Sequence, residues 1–305
     1  MIHTVRLFYQ FDLEEINSIQ TKYGSLKSCC TFLQSSFPAC KATFDKKYIT
    51  NFYLVVDLIK ILKTSTIKDD DYSTISNYIN KFLSPINLLL DDMTLTRIDY
   101  REDFYIPDCN KRSLILSTIS KSSIKYKFKN RKYLGTSLYF SSHSTSIILY
   151  DKESERISKG RKIEEYEKGI LRLEVRILNK RLNSNKHKKG IPKKLSNYFK
   201  ESIQKDYIRK ELSGIIFYGN FHRLNDGVDI ILNSNLSNKD KNFVLQIYTD
   251  YYNKTLDEIK KNLSYYKLKK YFKILKTLNI YPLGIYSDFN KIAIMKVNNP
   301  FNVFL

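Results

Sequence analysis

The segment GILRLEVRIL, residues 169–178, constrains the fold of this chain more than any other. Leu171, Leu173, Val175 and Ile177 alternate strictly with Arg172, Glu174 and Arg176. Side chains alternate across a strand, so residues two apart share a face. The segment therefore reads as a β-strand with one apolar and one charged face. TRIDYREDF, residues 96–104, repeats the arrangement, with Arg97, Asp99, Arg101 and Asp103 on one face and Ile98, Tyr100 and Phe104 on the other. Each strand thus presents an acid between arginines. A solvated sheet face carrying cross-strand ion pairs produces the same pattern.

The rest of the chain supports a sheet protein. Residues 2–9 read as an opening strand, and 51–62 as a strand-rich run whose length also permits a helix. Tyr72, Ile75, Ile79, Phe82 and Ile86 recur at helical spacing behind Asp69–Asp71, whose charges suit a helix N-terminus; Pro85 kinks or ends that helix. Residues 110–119 form a short helix, and 124–128, 136–140 and 146–150 read as further strands. The fold class is α+β: a mostly antiparallel sheet with helices on one face. The run NKRLNSNKHKKGIPKK, residues 179–194, reads as a basic linker or loop with Gly190 and Pro192. Beyond it helices dominate. Leu195, Phe199 and Ile203 recur at i+4, residues 244–263 outline a long amphipathic helix, and 268–278 the next. The expected division is a sheet domain over 1–190 and a smaller helical domain over 191–305.

Charge narrows the partner. Among 305 residues, 52 Lys and Arg face 31 Asp and Glu, a formal net charge of +21. Such an excess favours a polyanion, nucleic acid first, although frequent Lys, Asn, Ile and Tyr also reflect an AT-rich genome. Cys29, Cys30, Cys40 and Cys109 form no C-x-x-C pair and no zinc-spaced cluster, which fits a reduced cytosolic setting. The opening residues lack a signal-peptide core, and no stretch approaches ~20 apolar residues, so no membrane span is expected; surface binding to anionic lipid is the weaker option that the charge alone leaves.

Between the two charged strands lies TSIILYDKESE, residues 145–155, which sets Tyr150 at the end of an apolar strand against a charged turn. Phosphodiester cleavage needs charge neutralised on the phosphate and a positioned nucleophile. Mg²⁺ or Mn²⁺ could be held by Asp99 and Glu174, with Glu155 as a third ligand. Arg97, Arg101, Arg172 and Arg176 could grip flanking phosphates. Tyr150 would be the nucleophile, helped to ionise by a metal or by Lys152. Against this, Tyr150 is one of 24 tyrosines, and a strand aromatic is the simpler reading. His143 could touch a metal or phosphate but reads more simply as a surface or packed residue. Glu102, Asp103 and Glu153 read as solvated charges. No Walker A or G-x-G-x-x-G motif is present.

These motifs, TRIDYREDF, GTSLYFSSHSTSIILYDKESE and GILRLEVRIL in that order over residues 94–180, resemble the filamentous-phage gene II/X type of replication initiator, whose core is similar to that of rolling-circle plasmid initiators. A weaker similarity continues into FYGNFHRLNDG, residues 217–227. The resemblance implies a nickase-like core and site-specific nicking of one strand at an origin. It implies that Tyr150 becomes linked to the 5′ phosphate, leaving a 3′ hydroxyl as primer, and that Asp99, Glu174 and Glu155 are the acidic positions. It departs from many nickases in lacking a His-hydrophobe-His motif; His3, His143, His187 and His222 are isolated. Origin DNA is the implied partner, with a host helicase and polymerase as further candidates, in the cytoplasm of a bacterial host. The alternative reading is a basic DNA-binding protein without catalysis, for which Lys269, Lys273 and Lys276 on one helix face would supply phosphate contacts.

Overall fold

The computed structural model describes residues 2–64, 66–122, 130–252, 254–285 and 296–305. The chain opens with β1 (Ile2–Gln10), α1 (Leu13–Tyr23), α2 (Leu26–Ser35), β2 (Cys40–Phe44) and β3 (Asn51–Asp57). Then come α3 (Leu58–Leu62), α4 (Tyr72–Leu83) and β4 (Thr94–Tyr105). The middle of the chain holds α5 (Cys109–Ser122), β5 (Asn130–Tyr133), β6 (Ser137–Ser141), β7 (Thr145–Asp151), α6 (Lys152–Ser158) and β8 (Ile170–Leu178). Eight strands form one sheet in the order β2-β3-β1-β4-β8-β7-β6-β5. The pairs β2–β3, β3–β1, β1–β4 and β5–β6 are antiparallel. The α+β class holds. The strand expected at 124–128 lies outside the described residues.

Local chemistry sets the boundaries. The 51–62 run is both strand and helix: the Asp57 carboxylate accepts from the Lys60 amide at 3.3 Å, capping α3 where β3 ends. Asp12 and Glu15 form a capping box that starts α1. Helix α4 stops at Leu83, and Pro85 sits in the 3₁₀ turn that follows.

Two interleaved compact units divide the chain. The first comprises Met1–Glu102, His143–Ser146 and Glu174–Ile208; the second comprises Asp103–Ser142, Ile147–Leu173 and Arg209–Leu305. Residue 190, the expected domain boundary, falls inside the first unit. In the first, Val5, Leu7, Phe52, Leu54, Val56 and Ile98 are fully buried, with Ile75, Ile79 and Phe82 of α4. Tyr100, also fully buried, donates its hydroxyl to the Tyr198 carbonyl at 3.1 Å and stacks on Tyr207. The β1–β4 register slips twice, at His3 and at Thr96. The second slip lets Leu95 and Ile98, three apart, both be buried, and it sets the alternation that Ile98 and Tyr100 follow. In the second unit, Leu114, Ile115 and Ile119 of α5 are fully buried, and Ser122 shares a 2.7 Å hydrogen bond with Tyr281.

The chain continues with α7 (Asn179–Lys189), α8 (Glu201–Leu212), β9 (Phe221–His222), α9 (Leu224–Leu232), α10 (Asn238–Asp250), α11 (Leu256–Asn262), α12 (Tyr265–Thr277) and β10 (Lys296–Val297). The run expected as a basic loop is helical through Lys189. Leu182 and Asn185 are buried, and the Asn185 amide donates to Tyr207 at 2.5 Å. Its lysines fill the last turn, where the helix dipole favours cations, and Gly190 ends it at φ +66°. Leu195 opens a 3₁₀ turn (Leu195–Asn197), and it and Phe199 are buried ahead of α8. The single helix expected over 244–263 is two. Helix α10 ends at Asp250, and Thr255 with Glu258 forms the capping box that starts α11.

Candidate active site

Two groups of charged residues carry the candidate chemistry. The first lies on β4 and β8 within the first unit. Asp99 and Glu174 are only 1 % and 4 % exposed. Both Asp99 oxygens accept from Arg97, through Nε at 2.7 Å and through Nη2. Arg176 reaches both acids: its Nη2 donates to Glu174 at 2.9 Å, and its Nε lies 3.5 Å from Asp99. One guanidinium touching two carboxylates means that they converge within reach of a single cation. The Arg97 pKa is raised by its bonds to Asp99, against the opposing effect of burial, with further support from Glu174. The acids sit inside and the arginines reach outward, with about a third of each side chain exposed. A solvated ion-pair face does not describe this arrangement. Arg101 is 2 % exposed, and its carbonyl accepts from Gln204.

The second group surrounds Tyr150 in the second unit. Tyr150 is the penultimate residue of β7 and is 8 % exposed. Its hydroxyl hydrogen-bonds Arg172, whose guanidinium clasps Asp103 at 2.7 and 2.9 Å. Burial works against charge on Arg172, yet Asp103 first and Tyr150 next raise its pKa. Lys152 is also buried, and its ammonium lies 5.8 Å from the centre of the Tyr150 ring. It bonds Glu155 at 2.7 Å and approaches Glu167 at 3.6 Å. Burial lowers the Lys152 pKa; Glu155 opposes that shift and Arg172 adds to it. Burial would raise Glu155, but bonds from Lys152 and Lys159 pull it down to about 2. Glu167 is held by Arg156 at 2.5 and 2.7 Å.

The backbone at Tyr150 is anchored from behind. Asp151 caps α6, accepting from the Glu153 and Ser154 amides at 3.0 and 3.2 Å. Arg112 of α5, 2 % exposed, donates to Asp151 at 2.7 Å and to Glu153 at 2.5 Å. It also donates to the carbonyls of Ile106 and Pro107, at 2.7 and 3.0 Å. Gly169, at φ +67°, approaches so closely that a Cβ would meet Pro107 and Tyr105 at 3.0 Å.

Some sequence expectations change here. Asp103 and Glu153, read as solvated, bind Arg172 and Arg112, and Glu102 accepts from Gln204 at 2.5 Å. Arg112, Arg156 and Glu167 were missed. Nothing local in the sequence marks Arg112, which meets Asp151 only through the fold, whereas Asp103 was visible as the fourth charge on the Asp99 face. His143 is exposed in the turn between β6 and β7. Lys269, Lys273 and Lys276 are exposed on α12.

The donor chemistry fits a hard cation at Asp99 and Glu174, since Mg²⁺ is commonly held by one or two carboxylates plus phosphate and water. Among the described residues, no group of three or more His, Cys, Asp and Glu could hold a metal ion. Glu155 is engaged by Lys152 and Lys159.

Residues 69–202 match the family of the phage replication-associated protein, gene II product, N-terminal region. This matched segment is similar to the replication-associated family and agrees with the resemblance to gene II-type initiators carried by the strand motifs. Both charged groups fall within the matched segment, and α12 lies beyond it. No curated protein matches the chain. Among the described residues no helix is long and apolar enough to cross a membrane.

Proposed function

We propose that the chain is a rolling-circle replication initiator that nicks one strand of origin DNA with Tyr150. The observation that carries this reading is the setting of the Tyr150 hydroxyl. It is held by a buried arginine, with a buried lysine near its ring, at the end of a strand within the family-matched segment. A phenol has a reference pKa of about 10. Two cations beside it stabilise the phenolate and lower the cost of ionisation.

The phenolate oxygen attacks the phosphorus. A Tyr150–phosphate bond forms, the bond to the 3′ oxygen breaks, and that oxygen leaves as a 3′ hydroxyl after taking a proton. The 5′ phosphate stays on the tyrosine, and the 3′ end becomes a primer for a host polymerase, with a host helicase opening the duplex. Because the phosphotyrosine keeps a phosphodiester bond, attack by a 3′ hydroxyl reverses the step and rejoins strands. Tyr150 is 8 % exposed, so an incoming phosphate must draw Arg172 or Lys152 from its carboxylate partner, and a phosphate's charge competes for both. Asp99 and Glu174 would hold Mg²⁺ or Mn²⁺, which when bound supplies charge neutralisation on phosphate oxygens. Arg97 and Arg176, the outward-reaching members of their group, suit contact with flanking phosphates. Glu155 acts by positioning Lys152.

The test is to incubate the protein with supercoiled DNA carrying its element's origin, with Mg²⁺ or Mn²⁺ and with EDTA. Wild type should yield nicked circles and a denaturant-resistant protein–DNA adduct. Tyr150→Phe should bind the origin and yield neither. A protein that shifts origin DNA but never nicks it would be a binder only.

A further inference from the structure

Outside the family-matched segment, the second unit contains an open cleft of about 290 Å³. Phe217, Tyr218 and Phe272 line it, with Arg209 and Lys276 among its polar residues. These rings are partly exposed, unlike the fully buried Phe221, Tyr271 and Tyr281 of the same unit. Phe217 and Phe272 lie 4.8 Å apart, tilted by 33°. The Lys276 ammonium sits 5.0 Å from the centre of the Tyr218 ring and donates to the Leu305 main-chain oxygen at 3.2 Å. Arg209 spends one of its donors on the Phe304 carbonyl at 3.3 Å. No acidic side chain lines the cleft among the described residues.

The chemistry of a matching ligand follows from this lining. Exposed aromatic faces favour a flat π-system, and the two cations favour an anion attached to it. The volume is at the small end of ligand pockets, enough for one compact ring system. A nucleobase with its phosphate has these properties. Single-stranded nucleic acids are bound in this way, by bases on aromatic side chains and backbone on a basic groove. We propose that this cleft holds one unpaired base of single-stranded DNA, stacked on Phe272 and Phe217, with the adjoining phosphate at Lys276 and Arg209. This rests on the reading of the chain as a DNA-processing initiator but not on Tyr150 being its nucleophile. An initiator that opens its origin creates such a base beside the nick.

The experiment uses the full chain and a short single-stranded oligothymidine, with binding followed by fluorescence anisotropy across a range of salt. Stacking carries no charge, so Phe272→Leu should weaken binding by about tenfold and leave the salt slope unchanged. Lys276→Ala should flatten the slope by about 0.7. An oligonucleotide with one abasic position in the register that contacts the cleft should bind wild type about tenfold more weakly and Phe272→Leu no more weakly than the intact strand. Replacing one thymine by 5-iodouracil should give a photo-crosslink at Phe217, Tyr218 or Phe272. Tyr218→Leu, at a partly exposed ring, repeats the comparison should Phe272→Leu fail to fold. Unchanged affinity in the folded variant, or crosslinks confined to other segments, overturns the pocket. So does equal sensitivity of wild type and variant to the abasic position, as expected if the cleft takes a peptide. Failure of wild type to nick DNA would remove the proposed chemistry and leave each of these binding outcomes readable.

Discussion

Charge is used in opposite ways on the sheet strands and on α12. Asp99, Glu174 and Arg172 on the strands, and Lys152 at the start of α6, are each under a tenth exposed, and every one has an oppositely charged partner. On α12, Lys267, Lys269, Lys270, Lys273 and Lys276 are exposed; Lys270 pairs with Asp240 at 2.6 Å, and Lys276 donates to the Leu305 main-chain oxygen at 3.2 Å. Buried pairs carry a large desolvation cost and persist where geometry and added hydrogen bonds offset it. They fix atoms for chemistry and are insulated from salt. Exposed lysines fix little, but each can release a counterion on meeting a phosphate. The first arrangement suits catalysis and the second suits capture.

The sharpest way to break this contrast is at Tyr150. Tyr150→Phe should cut nicking by on the order of 10⁴-fold or more with origin affinity unchanged. Relaxation of supercoiled origin DNA at wild-type rate would instead turn attention to Tyr139 or Tyr133.

Next comes the anchor behind it. Arg112→Met leaves buried Asp151 without its cation and should cost about 3–5 kcal/mol in urea unfolding. A loss under about 1 kcal/mol would show that the pair behaves as a surface one.

Asp99→Asn and Glu174→Gln keep shape and remove charge. Each should lower metal-dependent nicking by roughly 10²–10³-fold. Full wild-type activity in excess EDTA would remove the metal from the proposal.

The α12 face should respond more gently. Replacing Lys269, Lys273 and Lys276 with alanine should weaken origin binding and flatten its salt slope by about one unit per lysine that meets a phosphate. Cleavage of a saturating single-stranded oligonucleotide should persist. Loss of that cleavage in a folded variant would mean that α12 completes the active site.

The smallest effect is expected in acid. Glu155 has a folded pKa near 2, below its ordinary 4.5. A depressed carboxyl contributes stability that is fully present above the unfolded value and lost as pH falls toward the folded one. Between pH 5 and pH 3, wild type should therefore lose more stability than Glu155→Gln, measured by urea midpoints at both values. Parallel losses would mean that the Lys152 and Lys159 pairs contribute nothing.

Much of the candidate site was legible because strands display their chemistry with a period of two. Alternation in 96–104 and 171–178 marked Asp99 and Glu174, and the apolar run before Tyr150 marked the end of a strand. Where the reading failed, polarity stood in for exposure. Asp103 and Glu153 looked solvated because a charge in a sequence carries no record of its partner. The basic 179–189 run looked like a loop because the buried Asn185 and Leu182 that hold it as a helix are two residues among many lysines.

The sequence by itself determined the strand faces, the excess of positive charge, the α+β class and the order of the three motifs. These depend on neighbours along the chain or on composition. Only the tertiary structure decided which cation faces which acid. Arg112 meets Asp151 across 39 residues, Arg172 meets Asp103 across 69, and Arg209 and Phe304 border one cleft across 95. The physical reason is that burial strengthens a charge pair and sets its pKa, and burial belongs to the packed chain rather than to any segment of it.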